Sequence, residues 1–555
     1  MHHTTIRATV SHETIGKVTR LFNGSLSDIM NELLQNARRA GASGIDISAI
    51  PLGNGLRITI EDDGCGIDDP ARIVALGASS WNEAISSGED PAGMGVFSLS
   101  GKHAIIESRP DGGDAWRMDI PHDAWTGDRD IHVEASTRDK GTSIAFDVDG
   151  ITDGTLEHAV TEAAAYYPLE VRLHGTPKPR KDFLAGAIHV GEWEGSRIGI
   201  FRGSHYHRIP TVNFHGLTIS TALFDVPQIG RDKIHARIDI GHTPALQLVL
   251  PARKEFVQND GLDALRGACE QACYEAIAKQ EDHSLSFERY QRAKALGVKL
   301  GEAAAQLHTW EPDIADDDSV RQHGAKRAIT GAEILMEEHE AHFDQAVARA
   351  LGGNELITRL VAPEAGFAGY SWYDALRTMR NLCFIVETNA ETHLVDEYEA
   401  KPPIADVTEA KAINLEFEIE TPSHDESERE RIATDLAFTF PDGCCSDGLE
   451  DVSIAYVRSP DLRPETLVDI LERACFSAWN DSDADSWDTQ HDRFLRDARE
   501  LAYRILEGEN AAIASQFRDA VARIMWTLPK GKRVAISFDQ GSPIDVVVAD
   551  IEEQE

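Results

Sequence analysis

The chain has 555 residues, of which 42% are hydrophobic and 27% charged, as is ordinary for a soluble globular protein. Its formal net charge of -40 disfavours non-specific binding to nucleic-acid phosphates and leaves open only a local basic groove. Seven cysteines without a framework spacing, no signal-peptide pattern and no membrane-length apolar run lead us to expect a cytoplasmic protein. At roughly 150 residues per domain, three or four domains are expected.

The first clearly marked element is a helix that begins after Ser25. Ser25 and Asp28 have the spacing of a capping box, and the helix is expected to end near Gly41. Two strands follow, over residues 44–50 and 55–62, separated by a Gly-Asn-Gly turn. A further helix is predicted over 95–103, and alternating strands continue to about residue 148.

The predicted first helix contains an acid and an amide, Glu32 and Asn36, four residues apart. Positions four apart project from the same helix face, about 40° from each other. An amide oxygen at Asn36 can ligate Mg²⁺, and a carboxylate at Glu32 can orient or deprotonate a water. Such a pair is usually a solvated helix face, so it gains weight only from the motifs that follow.

Three further motifs are typical of a nucleotide pocket. A carboxylate at a strand end, Asp62, can accept a hydrogen bond from an exocyclic amine, and nearby glycines let a flat ring approach the backbone. Free N–H groups where a helix begins favour phosphate, and a strand hydroxyl can complete the contacts to a base. The predicted ligand-binding residues are Asp62, Gly64, Gly66, Ile67, Gly93, Met94, Gly95, Val96, Phe97 and Thr142.

Together, ELLQNARRAGASGIDI, IEDDGCGI, GMGVFSLS and GTSIAF resemble the motifs of the gyrase, heat-shock chaperone, histidine kinase and MutL (GHKL) ATPases. The first two motifs are most similar in sequence to those of MutL and the heat-shock chaperone. The resemblance implies an α/β sandwich that holds ATP and Mg²⁺. It also implies that Glu32 is the general base, Asn36 the Mg²⁺ ligand and Asp62 the adenine contact, with the base lined by Gly64, Gly66 and Thr142 and the phosphate loop formed by Gly93 and Gly95.

In several GHKL families a β-α transducer domain follows and supplies a basic residue to the γ-phosphate. The resemblance therefore points to Arg253 or Lys254, after a strand in LVLPARKEF. The alternative reading is a strand end with two solvated charges. We predict an α+β chain with a GHKL domain over 1–150, a transducer over 151–282, a mainly helical region over 283–390 and an α/β domain over 391–555.

Three functions remain open at this level. The first is a slow ATPase whose nucleotide closes a chaperone-like homodimer on a protein partner, which suits the acidic composition. The second is an ATP-gated DNA clamp, repair or phage-defence factor of MutL type. The third is a non-hydrolysing ATP sensor or scaffold in a multi-protein complex, against which an intact Glu32 argues.

Overall fold

The computed structural model describes residues 25–74, 95–126, 129–203, 210–241, 246–249, 255–315, 324–399, 407–422, 427–441, 449, 452–479, 484–539 and 541–550. The chain forms two compact units, Met1–Ala303 and Ala304–Glu555. Both units combine helices with β-sheets, which confirms the predicted α+β class. Within these residues, no helix has both the length and the apolar sequence needed to cross a membrane.

Helix α1, Leu26–Arg39, begins where the sequence predicts. The Ser25 hydroxyl accepts the backbone N–H of Asp28, and the Asp28 carboxylate accepts the backbone N–H of Ser25, so the capping box is complete. The apolar side of α1, including Leu33 and Leu34, is buried in the core of the first sheet. This packing fixes α1 against the strands that contain the second and fourth motifs.

The first sheet has eight strands: β1 (Gly44–Leu52), β2 (Gly55–Asp62), β3 (Ala104–Arg109), β4 (Trp116–Ile120), β5 (Val133–Ala135), β6 (Gly141–Asp149), β7 (Glu170–Leu173) and β8 (Thr176–Pro177). Their order is β5-β4-β3-β6-β2-β1-β7-β8, and only the β1–β7 pair is parallel. Helix α2, Asp153–Ala164, shares the core with α1. The sheet therefore continues to Pro177, past the limit of 150 predicted for the first domain.

Burial alternates along β2, as expected for a sheet with helices on one face only. Leu56, Ile58 and Ile60 point into the core, whereas Arg57 lies on the open face. There Arg57 forms an ion pair with Asp147 on β6, with 2.7 Å between its Nε and Oδ1. The open face is therefore held by charge pairing and the helix-covered face by apolar packing.

A second sheet follows within the same unit, formed by β9 (His189–Trp193), β10 (Ser196–Arg202), β11 (Val212–Phe214), β12 (Leu217–Ile219), β13 (Asp225–Gln228) and β14 (Arg231–Ile240). The order is β12-β11-β14-β10-β9, with β13 also paired to β14. Helices α3 (Asp260–Ala278) and α4 (Phe287–Ala295) share its core. Gln35 of α1 donates a hydrogen bond to the His215 carbonyl oxygen at 2.7 Å, which links α1 to the β11–β12 turn.

The second compact unit is built mainly on two sheets. One contains β17 (Ile334–Met336), β18 (Leu360–Val361), β19 (Arg377–Glu387), β20 (Thr392–Val395), β23 (Ala412–Glu420) and β24 (Glu428–Thr434). The other contains β21 (Tyr398–Glu399), β22 (Val407–Glu409), β25 (Leu436–Pro441) and β26 (Ser453–Tyr456). A short pair, β15 (Gln306–His308) and β16 (Lys326–Ala328), precedes them.

The structure corrects the prediction of a mainly helical region over 283–390. Its described residues contain helices α4, α5 (Ala341–Leu351) and α6 (Ser371–Asp374), but also five strands, β15 to β19. In β19, Leu382, Phe384 and Val386 are buried at every second position, which is the period of a strand. They pack in the same core as α5, so this region belongs to the sheet of the second unit.

Three helices and a hairpin end the described chain: α7 (Pro464–Cys475), α8 (Trp487–Leu506), α9 (Glu509–Ala522), β27 (Lys532–Ser537) and β28 (Asp545–Asp550). Helices α7 and α8 contribute to the core of the second unit. Strands β27 and β28 form a separate two-stranded sheet. We call residues 509–550, from α9 to β28, the C-terminal arm.

Candidate nucleotide-binding site

Two neighbouring acids at the end of β2 have different surroundings. Asp63 accepts hydrogen bonds from both the backbone N–H and the hydroxyl of Ser43, each at 2.6 Å, and these bonds lower the pKa of its carboxyl. Asp62 accepts backbone N–H groups instead: its Oδ1 accepts that of Gly64 at 2.9 Å, and its carboxylate also accepts that of Thr142. Asp63 therefore anchors the turn to the start of β1, whereas the Asp62 carboxylate is bound only by backbone N–H groups among the described residues.

Burial determines the electrostatics of Asp62. It raises the pKa of the Asp62 carboxyl, because an ionised group loses hydration there. Backbone N–H donors from Gly64 and Thr142, and the charge of Arg138, act in the opposite direction without cancelling the rise. A half-buried carboxylate whose two oxygens can accept further hydrogen bonds is suited to a ligand that brings its own N–H donor.

The fourth motif lies directly beside Asp62. Strands β2 and β6 pair so that Thr142 is the cross-strand partner of Asp62. The Thr142 hydroxyl lies 3.0 Å from the Ser108 hydroxyl on β3, and Ser108 in turn accepts the backbone N–H of Ile67 at 2.9 Å. The site thus brings together the predicted Asp62, Ile67 and Thr142 through Ser108, which the sequence reasoning missed.

The glycines of the second motif are required by the protein backbone itself. A Cβ at Gly66, where φ is +71°, would lie 2.1 Å from the Arg109 carbonyl oxygen. A Cβ at Gly64 would lie 2.7 Å from the Cβ of Ala40 at the end of α1. Gly141, before Thr142, also has a positive φ, and its Cβ would meet the Asp62 carbonyl oxygen at 2.0 Å. These contacts press the loop against α1, β3 and β6.

Glu32 and Asn36 lie on the helix that meets this loop. The Cys65 N–H donates to the Ala40 carbonyl oxygen at 2.8 Å, which places the loop at the C-terminal end of α1. With a rise of 1.5 Å per residue, Asn36 lies about 6 Å and Glu32 about 12 Å back along the helix. Both side chains are half-buried. Glu32 and Asn36 therefore lie on the helix whose C-terminal end contacts the loop after Asp62.

The third motif is only partly described. Gly93 and Met94 lie outside the described residues, and Gly95–Leu99 form a short 3-10 helix. The helix predicted over 95–103 is therefore wrong in length and type. Gly101 adopts a φ of +77°, and β3 begins at Ala104. Because this 3-10 helix has only five residues, its dipole is smaller than that of a longer α-helix. Phosphate binding here would therefore depend on individual backbone N–H groups.

Two predicted contact residues pack partly against the protein core. Val96 and Ile67 are partly buried against the core cluster of the first sheet. The backbone of Ile67 is fully engaged, because its N–H binds Ser108 and its carbonyl oxygen accepts the Trp116 indole N–H at 2.9 Å. Any contact from Ile67 to a ligand would therefore come from its side chain. For Phe97 only the backbone is described.

The predicted basic residues Arg253 and Lys254 lie outside the described residues. The chain on either side of them is described, and it pairs with itself. Val249 N–H donates to the Glu255 carbonyl oxygen and Val257 N–H to the Gln247 carbonyl oxygen, each at 2.8 Å. The described residues 247–249 and 255–257 are therefore antiparallel to each other.

Arg138 is a second residue that sequence reasoning missed. Its Nη2 donates to the carbonyl oxygens of Thr142, at 3.0 Å, and Asp62, at 3.3 Å, while Nη1 pairs with Glu61 at 2.9 Å. It ties the ends of β2 and β6 together at the site. In the sequence Arg138 stands in a charged turn and gives no signal, because its role arises only from the pairing of distant strands.

Comparison with known proteins agrees with this arrangement. Residues 23–150 match the family described as histidine kinase-, DNA gyrase B-, and HSP90-like ATPase, so the chain contains a GHKL-type domain there. Structural similarity is reported to the ATPase region of Saccharomyces cerevisiae topoisomerase II, at 13% identity and a TM-score of 0.28, over 35% of this chain and 62% of that chain.

A second similar structure comprises the ATPase and transducer domains of DNA topoisomerase II from Balamuthia mandrillaris. The identity is 16% and the TM-score 0.27, over 35% of this chain and 60% of that chain. The chain thus spans less than two thirds of either structure. No curated protein matches the sequence.

Proposed function

We propose that this protein binds ATP and Mg²⁺ at the end of β2 and hydrolyses the nucleotide, and that binding closes a chaperone-like homodimer on a protein partner. The observation that carries the proposal is the half-buried Asp62 carboxylate beside Thr142. Ionised Asp62 offers an acceptor for the amine of adenine, and the Thr142 hydroxyl offers a second polar group next to it.

Glu32 and Asn36 have the residue types needed at the phosphate end. Among the described residues no cluster of three or more acids, histidines or cysteines could hold a metal alone. This fits Mg²⁺ in a nucleotide site, where one protein oxygen, here that of Asn36, is joined by phosphates and waters. The metal would neutralise phosphate charge, and Glu32 would orient a water and accept its proton.

The basic residue for the γ-phosphate would be Arg253 or Lys254. These two residues lie in LVLPARKEF, just after a predicted strand, which is the position of the basic residue in the family that the sequence resembles. A cation held against developing phosphate charge stabilises the transition state of phosphoryl transfer.

A protein partner is favoured over DNA. The net charge is -40, and the most basic stretch near the first sheet, residues 172–181, is partly neutralised. Arg172 pairs with Asp46 at 3.5 Å and Lys178 with Glu157 at 2.8 Å. Fewer free cations leave less phosphate affinity.

The test combines nucleotide binding and Mg²⁺-dependent hydrolysis for the wild type and Glu32→Gln. We expect both proteins to bind ATP and the variant to hydrolyse it at least roughly 100-fold more slowly, the typical contribution of a general base. Binding by both with hydrolysis by neither would support the sensor function. Strong, salt-dependent DNA binding would support the clamp, and no ATP binding would refute the proposal.

A further inference from the structure

The second sheet has an apolar face and an opposite face that contains charged residues. The even-numbered residues of β14 from Ile234 to Ile240 lie in the core shared with α3 and α4. Because side chains alternate along a strand, Arg237 and Asp239 point to the opposite face. There Asp239 accepts hydrogen bonds from Arg197, at 2.6 Å, and from Asn213, at 2.7 Å. The acid nearest to Arg237 along this face of β14 is therefore already paired.

Arg237 is a half-buried cation that pairs with no carboxylate among the described residues. Its guanidinium carbon lies 4.2 Å from the centre of the Phe201 ring, and its buried Nε has no hydrogen-bond partner there. Burial lowers the pKa of Arg237, and the Tyr166 hydroxyl is the group that acts against it. Acids outnumber lysines and arginines by 94 to 54, so the missing partner does not reflect a shortage of acids. An uncompensated charge costs stability, and it is expected where a ligand supplies the counter-charge.

Apolar side chains adjoin Arg237 on this face. Strand pairing places Gly199 beside it and Val190 beyond Gly199, and Val190 is 46% exposed. Leu184 covers Gly199, where a Cβ would lie 2.8 Å from the Cδ2 of Leu184. Ile188, two residues before Val190, is 49% exposed. The face therefore combines an unpaired cation with exposed aliphatic groups near the edge strand β9.

Two further cations, Arg180 and Lys181, border this face. The Lys181 backbone N–H donates to the Ala165 carbonyl oxygen at 2.6 Å, next to Tyr166. The Tyr166 ring packs edge-to-face on Phe183, with 5.1 Å between the ring centres. The side chains of Arg180 and Lys181 are exposed, and neither forms an ion pair with a described residue. A locally positive region thus exists within a chain whose net charge is -40.

We infer that this face of the second sheet binds an acidic, extended segment of a partner protein, with one carboxylate on Arg237 and apolar side chains on Ile188 and Val190. The two terminal nitrogens of the guanidinium can donate parallel hydrogen bonds to a carboxylate, while the Phe201 ring supports the guanidinium plane. The two bordering cations attract further acids of the same segment. A nucleic acid fits less well, because the exposed side chains beside Arg237 are aliphatic and offer no ring on which a base can stack.

The experiment measures how tightly the full chain binds a fluorescein-labelled peptide of alternating leucine and glutamate, by fluorescence anisotropy. A peptide of alternating leucine and glutamine is the uncharged probe. Arg237→Met removes the charge and keeps a long side chain, and Arg202→Met, at the exposed end of β10, is the matched control for binding. Arg197→Met removes a cation that is paired on the same face, and it is the matched control for stability.

We expect the glutamate peptide to bind the wild type and Arg202→Met at least about tenfold more tightly than Arg237→Met, as for a hydrogen bond between charged groups. The midpoint of thermal unfolding should rise by roughly 2 to 4 °C in Arg237→Met, because an unpaired charge is removed. It should fall in Arg197→Met, because Asp239 loses its cation.

Three results would overturn the inference: equal binding of the two peptides, a loss of stability in Arg237→Met like that in Arg197→Met, or tighter binding of a single-stranded oligonucleotide than of the glutamate peptide. ATP affinity is measured for each variant and should match that of the wild type. A protein that binds the glutamate peptide but no ATP would refute the proposed function and leave this inference standing.

Discussion

The proposed nucleotide-binding end of the first sheet and the C-terminal arm depart from ordinary burial in opposite ways. At the first, polar groups are buried: Ser108 has no exposed surface, and Thr142 has 5%. At the second, apolar groups are exposed, Trp526 most of all. Buried polar groups and exposed apolar patches are the informative exceptions to normal packing. Both mark places where a chain is built to contact something else, and their chemistry indicates what that is.

The largest predicted effect is a loss of stability from a substitution in the tightly packed loop that contains Gly64 and Gly66. Gly66→Ala should destabilise the fold by about 3 kcal/mol or more, because the new methyl group would meet the Arg109 carbonyl oxygen and the positive φ adds strain. Gly53→Ala, at a φ of +62° with no neighbour within 4 Å, should cost only about 1 kcal/mol. Chemical denaturation measures both, and equal costs would show that the loop is not tightly packed.

The burial of Asp62 predicts a pH dependence of ATP binding. The pKa of Asp62 is raised in the folded protein. When the solution is acidified, Asp62 therefore becomes protonated, and stops accepting the amine of adenine, at a higher pH than an ordinary aspartate would. Affinity should fall about tenfold per pH unit below that pKa. In calorimetric titrations, Asp62→Asn should show a much flatter profile. Identical profiles would mean that another group controls binding.

The hydroxyl pair predicts a coupled effect of moderate size. Ser108→Ala removes the acceptor of the Ile67 N–H and a partner of Thr142, and should weaken ATP binding roughly tenfold. Thr142→Val should weaken ATP binding by a similar factor. The double variant should lose less binding free energy than the two single variants lose together. A double-mutant cycle on the dissociation constants measures this coupling, and full additivity would argue against a shared network.

Substitutions of polar groups on the open face of the first sheet should have the smallest effect on stability. His103 lies between Asp119, at 2.8 Å, and Asp147, at 3.0 Å, and these hydrogen bonds outweigh burial and raise its pKa. Protonated His103 therefore contributes fully to the free energy of unfolding below the pKa that it has in the unfolded chain. This contribution is lost as the pH rises through its pKa in the folded protein. His103→Gln should cost under about 1 kcal/mol below pH 6, since the groups are partly exposed, and nothing at high pH. A larger effect in thermal unfolding would contradict the contrast with the buried site.

Local patterns in the sequence were enough to predict part of this site. The Ser25 cap, the strand end at Asp62 and the face shared by Glu32 and Asn36 depend on residues a few positions apart. Ser108 and Arg138 could not be predicted, because they reach Thr142 only through the pairing of β3, β6 and β2. The strand character of β19 was missed although its alternation is visible, because only two residues separate it from the helix α6 that precedes it.

The central claim is tested most directly by ATP affinity of the wild type, Asp62→Asn and Asp63→Asn. The two acids are adjacent, but the Asp63 carboxylate is bound by Ser43, and we propose Asp62 as the acid that contacts the ligand. We predict that Asp62→Asn weakens ATP binding roughly 10- to 100-fold, the value of one hydrogen bond to a charged group, without lowering stability. Asp63→Asn should bind almost as the wild type does. Equal affinities for the wild type and Asp62→Asn would contradict the account.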